Sequence, residues 1–299
     1  MPGIDSEAAL GARCNMLILT TAKEMQGACQ ELRAQGKHIG LVPTMGALHE
    51  GHLSLVRAAR EGGNIVAVSI FVNPTQFAPN EDLAVYPRTI EQDCALLEGE
   101  DVDLLFAPSA EEMYPAGAST FVEVEGVSQR LDGASRPGHF RGVTTIVSKL
   151  FHIVAPERAY FGQKDAAQVA VLRKMVRDLN FNLEIVVCPI VREADGLALS
   201  SRNVYLDPEQ RRQALVLSRA LMRVKELVGV GEWSAAKLLQ EAHAVLASEP
   251  AVRVDYLAAV DPDTLKNVDG VRGGALVAVA AWVGTTRLID NLLVGYSSD

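Results

Sequence analysis

The chain has 299 residues, 48% hydrophobic and 22% charged, with a formal net charge of -9. That length supports one large domain or two unequal ones. The acidic balance argues against a surface that holds nucleic acid non-specifically, which needs a clustered lysine and arginine excess. Cys14, Cys29, Cys94 and Cys188 show no Cys-x-x-Cys spacing, so neither a disulfide framework nor a zinc site is indicated, and a reducing cytoplasm suits them. The longest apolar run, 275–283, falls far short of the roughly 18 to 20 residues that span a bilayer and predicts a buried strand.

Residues 1–15 lack a basic region followed by an apolar core. They are expected to be a loose extension before Met16, where translation could begin, and not a signal peptide. Residues 37–42 end in an apolar run that Pro43 is expected to stop, because proline has no amide to donate to a central strand. Gly46 and Gly51 then precede Leu53, Val56 and Ala59 at helical spacing, which predicts a helix starting near His52. Such a turn aims free amides and a positive helix end at one place, a favourable seat for phosphate. His49 and His52 share a face of the first turn and could both donate to phosphate oxygens; the bland alternative makes one a cap and the other a surface group.

The β-branched run 64–72 predicts a core strand of a parallel sheet, feeding Asn73-Pro74-Thr75-Gln76-Phe77 at a carboxyl edge. Asn-Pro alone marks a turn, whereas Gln76 has no turn role and is available to a ligand. A helix over 89–98 and a strand over 102–106 continue the α/β alternation. Glu91 and Asp93 read first as helix-start charges, with a metal role as the lesser alternative. The stretch 131–142 is polar and glycine-rich, expected as a functional or mobile loop carrying Arg136 and His139, before an amphipathic helix over 143–154 that serves packing.

A short strand over 159–161 ends at Gly162-Gln163-Lys164-Asp165, the second strand end to present a glycine with a chemical group. Lys164 suits phosphate, and the helix over 166–179 sets Gln168 one turn beyond it. After a strand over 183–187, Leu199-Ser200-Ser201-Arg202-Asn203 suits a triphosphate clamp or, more plainly, a capping serine pair. A charged, glycine-ended linker, Arg192-Glu193-Ala194-Asp195-Gly196, precedes helices over 209–228 and 234–247 and strands over 252–260, 275–283 and 287–293. The expectation is therefore an α/β chain: a Rossmann-like doubly wound parallel sheet over 1–194 and a smaller α+β domain over 195–299.

His-x-Gly-His at 49–52 resembles the signature of the nucleotidylyltransferase superfamily, whose shared chemistry is attack on the α-phosphate of ATP; neither a P-loop nor a Gly-x-Gly-x-x-Gly fingerprint occurs. The net charge sets aside the tRNA-synthetase branch. From Met16 onward the chain is similar to the pantoate–β-alanine ligase family. Six stretches carry the likeness: Pro43 to His52, Phe71-Val72-Asn73-Pro74-Thr75-Gln76-Phe77, Tyr86-Pro87-Arg88-Thr89, Ser135-Arg136-Pro137-Gly138-His139-Phe140, Phe161 to Asp165, and Asp195 to Asn203. The resemblance implies a homodimer, a small lid domain, ATP with Mg2+, and joining of pantoate to β-alanine through a pantoyl adenylate. By position it makes His52, His49, Lys164 and Arg202 catalytic. It assigns ATP to Pro43, Thr44, Met45, Gly46, Ala47, Leu48, His49, Glu50, Gly51, His52, Gly162, Gln163, Lys164, Asp165, Val191, Leu199, Ser200, Ser201 and Arg202. Pantoate and β-alanine fall to Gln76 and Gln168, with Asn73, Arg136 and His139 beside them. Gln163 departs from the glutamate frequent in that family. A nucleotidylyltransferase with another acceptor, and a non-catalytic ATP-binding homologue, remain as rivals.

Overall fold

The computed structural model describes residues 16–79 and 81–296; the extension expected at 1–15 lies outside them. In chain order come β1 (Leu17–Leu19), α1 (Ala22–Ala34), β2 (Ile39–Thr44), α2 (Glu50–Glu61), β3 (Ile65–Ile70), α3 (Ile90–Gly99), β4 (Leu104–Phe106), α4 (Ala110–Met113), α5 (Asp132–Ser135), α6 (His139–Val154), β5 (Arg158–Gly162), α7 (Ala166–Asp178) and β6 (Glu184–Cys188). They are followed by α8 (Pro208–Gly229), α9 (Ala235–Leu246), β7 (Val252–Val260), β8 (Ala275–Val283) and β9 (Thr286–Val294).

β1 to β6 form one parallel sheet in the order β1-β4-β3-β2-β5-β6. The chain winds outward from β2 to β3 and β4, then returns to β5 and β6, so the order reverses between β2 and β5, where open α/β sheets place ligands. Met25 and Cys29 of α1, α6 and α7 contribute to one core, and Leu55, Val56 and Ala59 of α2 with Leu97 of α3 pack a second around Val42, Val66 and Val68. This is the doubly wound arrangement. The antiparallel sheet β7-β8-β9 packs Val277, Val279 and Ala281 with α8 and α9 into another core, while Leu276 and Ala278 join the core of the large sheet. Alternation along β8 thus lets one strand serve two cores.

Three expectations change. β2 does not stop at Pro43: the proline sits in register with Ser69 of β3. Thr44 O accepts the amide of Phe71 beyond β3, so by alternation Pro43 faces β5, whose pairing with β2 ends at Leu41; no amide is needed there. Helix α2 begins at Glu50, with His49 as its N-cap, ahead of the expected start near His52. Finally, 131–142 is not a loop but α5 and the first turn of α6, split at Arg136 to Gly138. Gly133 permits this fold-back, since a Cβ there would stand 1.9 Å from Ser128 O. Strand β1 and helices α1 and α4 are additions that no sequence signal was used to place.

Candidate active site

The turn from β2 to α2 is bent by Gly46 and Ala47, with φ of 82° and 49°. A glycine suits the first; the second is held by Asp93 of α3, which is 1% exposed. Its carboxylate accepts the amides of Ala47 at 3.0 Å and Leu48 at 2.8 Å and the hydroxyl of Thr89 at 3.3 Å. Asp93 therefore anchors the turn, and Glu91 is exposed. Among the described residues no group of three or more His, Cys, Asp or Glu is placed to hold a metal ion.

His49 Nδ1 accepts the Gly51 amide at 3.1 Å, and His52 Nδ1 accepts the His49 amide at 3.3 Å. This is a capping box built from two imidazoles, with ring centroids 4.1 Å apart. Capping and chemistry are thus not alternatives. An Nδ1 that accepts requires a neutral ring with its proton on Nε2. Burial first, then the Lys164 charge, pushes His49 down to about 4; burial, His49 and Lys164 push His52 down to about 3. Each ring is a neutral donor through Nε2, not a cation. Glu50 turns outward and is bound by Arg57.

His52 borders a cavity of about 180 Å³ together with Pro43, Thr44, Met45, Gln76 and Gln168. Gln76 donates to Met45 Sδ at 2.8 Å and accepts Asn73 Nδ2 at 3.0 Å. Asn73 spends its other amide proton on Gly142 O at 3.1 Å, and its oxygen accepts Tyr114 Oη at 2.9 Å. It borders the cavity, yet its carboxamide is committed to holding Gln76. His139 donates from Nδ1 to Gln76 O at 2.8 Å and accepts Arg136 Nη1 at 3.1 Å; burial, then Arg136, lowers it to about 4. The Gln168 side chain makes no hydrogen bond among the described residues, leaving its carboxamide open to a ligand.

A second cavity, of about 890 Å³, abuts the first: Arg136, His139, Asp165, Gln168 and Arg202 border both. Lys164 and Ser200 line it, and Lys164 Nζ has no hydrogen bond or ion pair among the described residues. The two arginines are already engaged. Glu81 takes the Arg136 fork at 2.6 Å twice, and Asp82 takes the Arg202 fork at 2.8 Å twice. Glu81 and Asp82 were missed from the sequence, as were Arg253, Asp255 and Arg287 from the small sheet; adjacent acids carry no sign of which distant arginines they will meet. Of the nucleotide residues expected by position, Gly162, Gln163, Val191, Leu199 and Ser201 line neither cavity, nor do Gly46, Ala47, Leu48, His49, Glu50 and Gly51. Gln163 faces Asn291, Ser201 Oγ lies 3.2 Å from Tyr86 Oη, and Val191 O accepts the Leu199 amide at 3.0 Å.

Residues 17–293 match the family model described as pantoate-beta-alanine ligase. The chain belongs to the pantoate–β-alanine ligase family. It is 63% identical over 279 residues to the pantothenate synthetase of Koribacter versatilis, covering 93% of this chain and 96% of that one. The crystal structure of pantothenate synthetase from Thermus thermophilus superposes with a TM-score of 0.89 at 51% identity, covering 93% and 99% of the two chains. A Francisella tularensis pantoate-beta-alanine ligase, complexed with beta-gamma ATP and beta-alanine, superposes at 0.74 with 35% identity over 93% and 97%. The protein is accordingly a pantothenate-forming ligase, and its α/β architecture is that of the family.

Proposed function

We propose that this ligase joins pantoate to β-alanine in two steps within the paired cavities. The pantoate carboxylate attacks the α-phosphate of ATP and expels pyrophosphate; the β-alanine amine then attacks the mixed anhydride, releasing AMP and pantothenate. One observation carries the reading: a small cavity bordered by His52, Gln76 and Gln168 opens beside a larger one lined by Lys164, at the carboxyl ends of β2 and β5. ATP and β-alanine are the molecules named for the Francisella relative. In-line transfer leaves little covalent work for the protein, so aimed donors dominate. His52 Nε2 offers an uncharged proton to the phosphate, Lys164 a compact charge, and Gln76 and Gln168 amides that hold pantoate's hydroxyls without repelling its carboxylate. Arg202 meets the phosphates once these compete with Asp82, and Arg136, held by Glu81, stands beside the pantoate amides. With no three-ligand protein site for Mg2+ among the described residues, the magnesium is read as travelling on the phosphates, and no step is routed through it.

The same reading divides the chain near residue 195 into a substrate-binding unit and a small carboxy-terminal lid; Leu197 is the first residue of the small sheet's core, whereas Leu276 and Ala278 couple that sheet to the larger one. A homodimer rests on the resemblance, and a cytoplasmic location on the three described cysteines being free thiols.

The test is enzyme with ATP and D-pantoate but no β-alanine. Pyrophosphate should appear once, in an amount near the enzyme concentration, with the adenylate held where bulk water cannot hydrolyse it; added β-alanine should discharge it as pantothenate. Gln168→Ala should lose the burst while still binding ATP. A strict need for β-alanine before any pyrophosphate appears would overturn the adenylate step, and discharge by other amines would favour a different acceptor.

A further inference from the structure

The turn that carries Lys164 has no side-chain cap of its own: neither Gln163–Asp165 nor the start of α7 is tied by a neighbouring residue's side chain. What holds it comes from β9 in the small sheet. Asn291, 3% exposed, donates both protons of its amide to backbone carbonyls, Gln163 O and Lys164 O, each at 2.9 Å. Its own oxygen accepts Gln163 Nε2 at 3.0 Å. The carboxamide is fully used, and each bond ends on the residue before Lys164 or on Lys164 itself. The preceding residue, Asp290, also 3% exposed, accepts the Asn291 amide at 2.7 Å and takes both arms of Arg192 at 2.7 and 2.8 Å. Alternation turns the two side chains apart. Asn291 is paired with Ala278, which belongs to the large sheet's core, and Asp290 with Val279 of the small sheet's core.

We propose that Asn291 is a positioning residue for the ligase reaction, aiming the Lys164 ammonium by fixing the carbonyls of Gln163 and Lys164. The proposal rests on the reading that Lys164 meets the triphosphate. Two held carbonyls fix the peptide planes on either side of the Lys164 Cα, and so the direction of its Cα–Cβ bond. A long side chain magnifies a rotation at its root, so releasing that hold misplaces a charge that must be aimed to about half an ångström. The chemistry of the position is narrow. Aspartate would bring a carboxylate with no protons against two carbonyl oxygens, and leucine would take the Asn291 donor from both carbonyls. Gln163 completes the device, because its amide donates to the Asn291 oxygen and thereby turns both amide protons toward the turn.

The test is a double-mutant cycle in the full-length enzyme, reading kcat and KM for ATP in pyrophosphate release, the Kd for ATP, and the melting temperature. Asn291→Ala should lower kcat/KM for ATP by about tenfold to a hundredfold and cause almost no further loss in a Lys164→Ala background. A structural tie between the sheets would lower the melting temperature but leave the two losses multiplicative, and multiplicative losses overturn the proposal. So does wild-type kinetics for Asn291→Ala where Lys164→Ala is impaired. Wild-type kinetics for Lys164→Ala itself would overturn the reading of Lys164 and this proposal with it. If Asn291→Ala does not fold, Gln163→Ala decides: freeing the carboxamide to rotate should give a smaller loss with the same dependence on Lys164, and its absence refutes the aiming role.

Discussion

Two strand-to-helix turns meet at the site, and they are held in opposite ways. The β2–α2 turn is largely tied by its own residues: His52 caps the His49 backbone and His49 that of Gly51, with Asp93 holding Ala47 and Leu48 from farther along the chain. The β5–α7 turn has no local cap and borrows its hold from Asn291 across 127 residues of chain. A locally capped turn is pre-formed wherever its helix forms, and it spends histidine nitrogens on the backbone to do so. A turn held from another sheet is correct only when the two sheets are docked, which ties the aim of Lys164 to tertiary packing.

The largest expected effect comes from the local turn. Removing a preorganised donor costs about 3 kcal/mol in barrier, so His52→Ala should lower kcat for adenylate formation by a hundredfold or more. The melting temperature should hardly move, because the one backbone bond lost, at 3.3 Å, lies at a helix start that His49 still caps. Single-turnover kinetics beside a thermal melt checks both; near-normal turnover would remove His52 from the chemistry.

Next in size is Asp93→Ala, which strips two amides of a charged acceptor and should cost about 2 kcal/mol of stability in urea unfolding, with activity falling alongside. Asp93→Asn, keeping one acceptor, should recover part of both. An undiminished Asp93→Ala variant would mean that the histidine box alone suffices for the turn.

The smallest effect is in pH. His49, His52 and His139 are lowered to about 4, 3 and 4 from an ordinary 6.5. Between pH 6.5 and about 4 the unfolded chain binds protons that the folded chain refuses. Their contribution to stability is therefore complete above 6.5 and declines as pH falls through that window. Over the same window these rings stay neutral donors, so pyrophosphate release should show no step near 6.5 that His52→Ala abolishes. Such a step would make His52 a titrating cation.

Much of the fold could be read directly because its signals are local. The β-branched run of β3 and the apolar run of β8 announced core strands, and β7 and β8 span the residues expected of them. The capping pattern, by contrast, was blurred by imidazoles standing where serine and glutamate usually cap, which moved the start of α2. The glycine-rich 131–142 looked like a loop because composition cannot report that Gly133 lets the chain pack against Ser128 O. At the site, His52, Gln76 and Lys164 were expected from strand ends, Gln168 from its helical spacing to Lys164 and Arg202 from its serine-flanked stretch, and all five line the paired cavities. Glu81 and Asp82 were not, since a salt bridge spanning 55 or 120 residues leaves no periodicity behind.

By itself the sequence determined most of the strand and helix inventory from β2 onward, the parallel core and the chemical groups at each strand end, because side-chain period, turn residues and backbone propensity act over a few residues. Only the tertiary structure decided that Pro43 could stay in its strand, that Asp93 anchors a turn, that two acids occupy the arginine forks, and that an asparagine of the small sheet aims the lysine of the large one. Each of those outcomes depends on which distant groups packing brings within about 3 Å, and hydrogen-bond energy falls away beyond that reach.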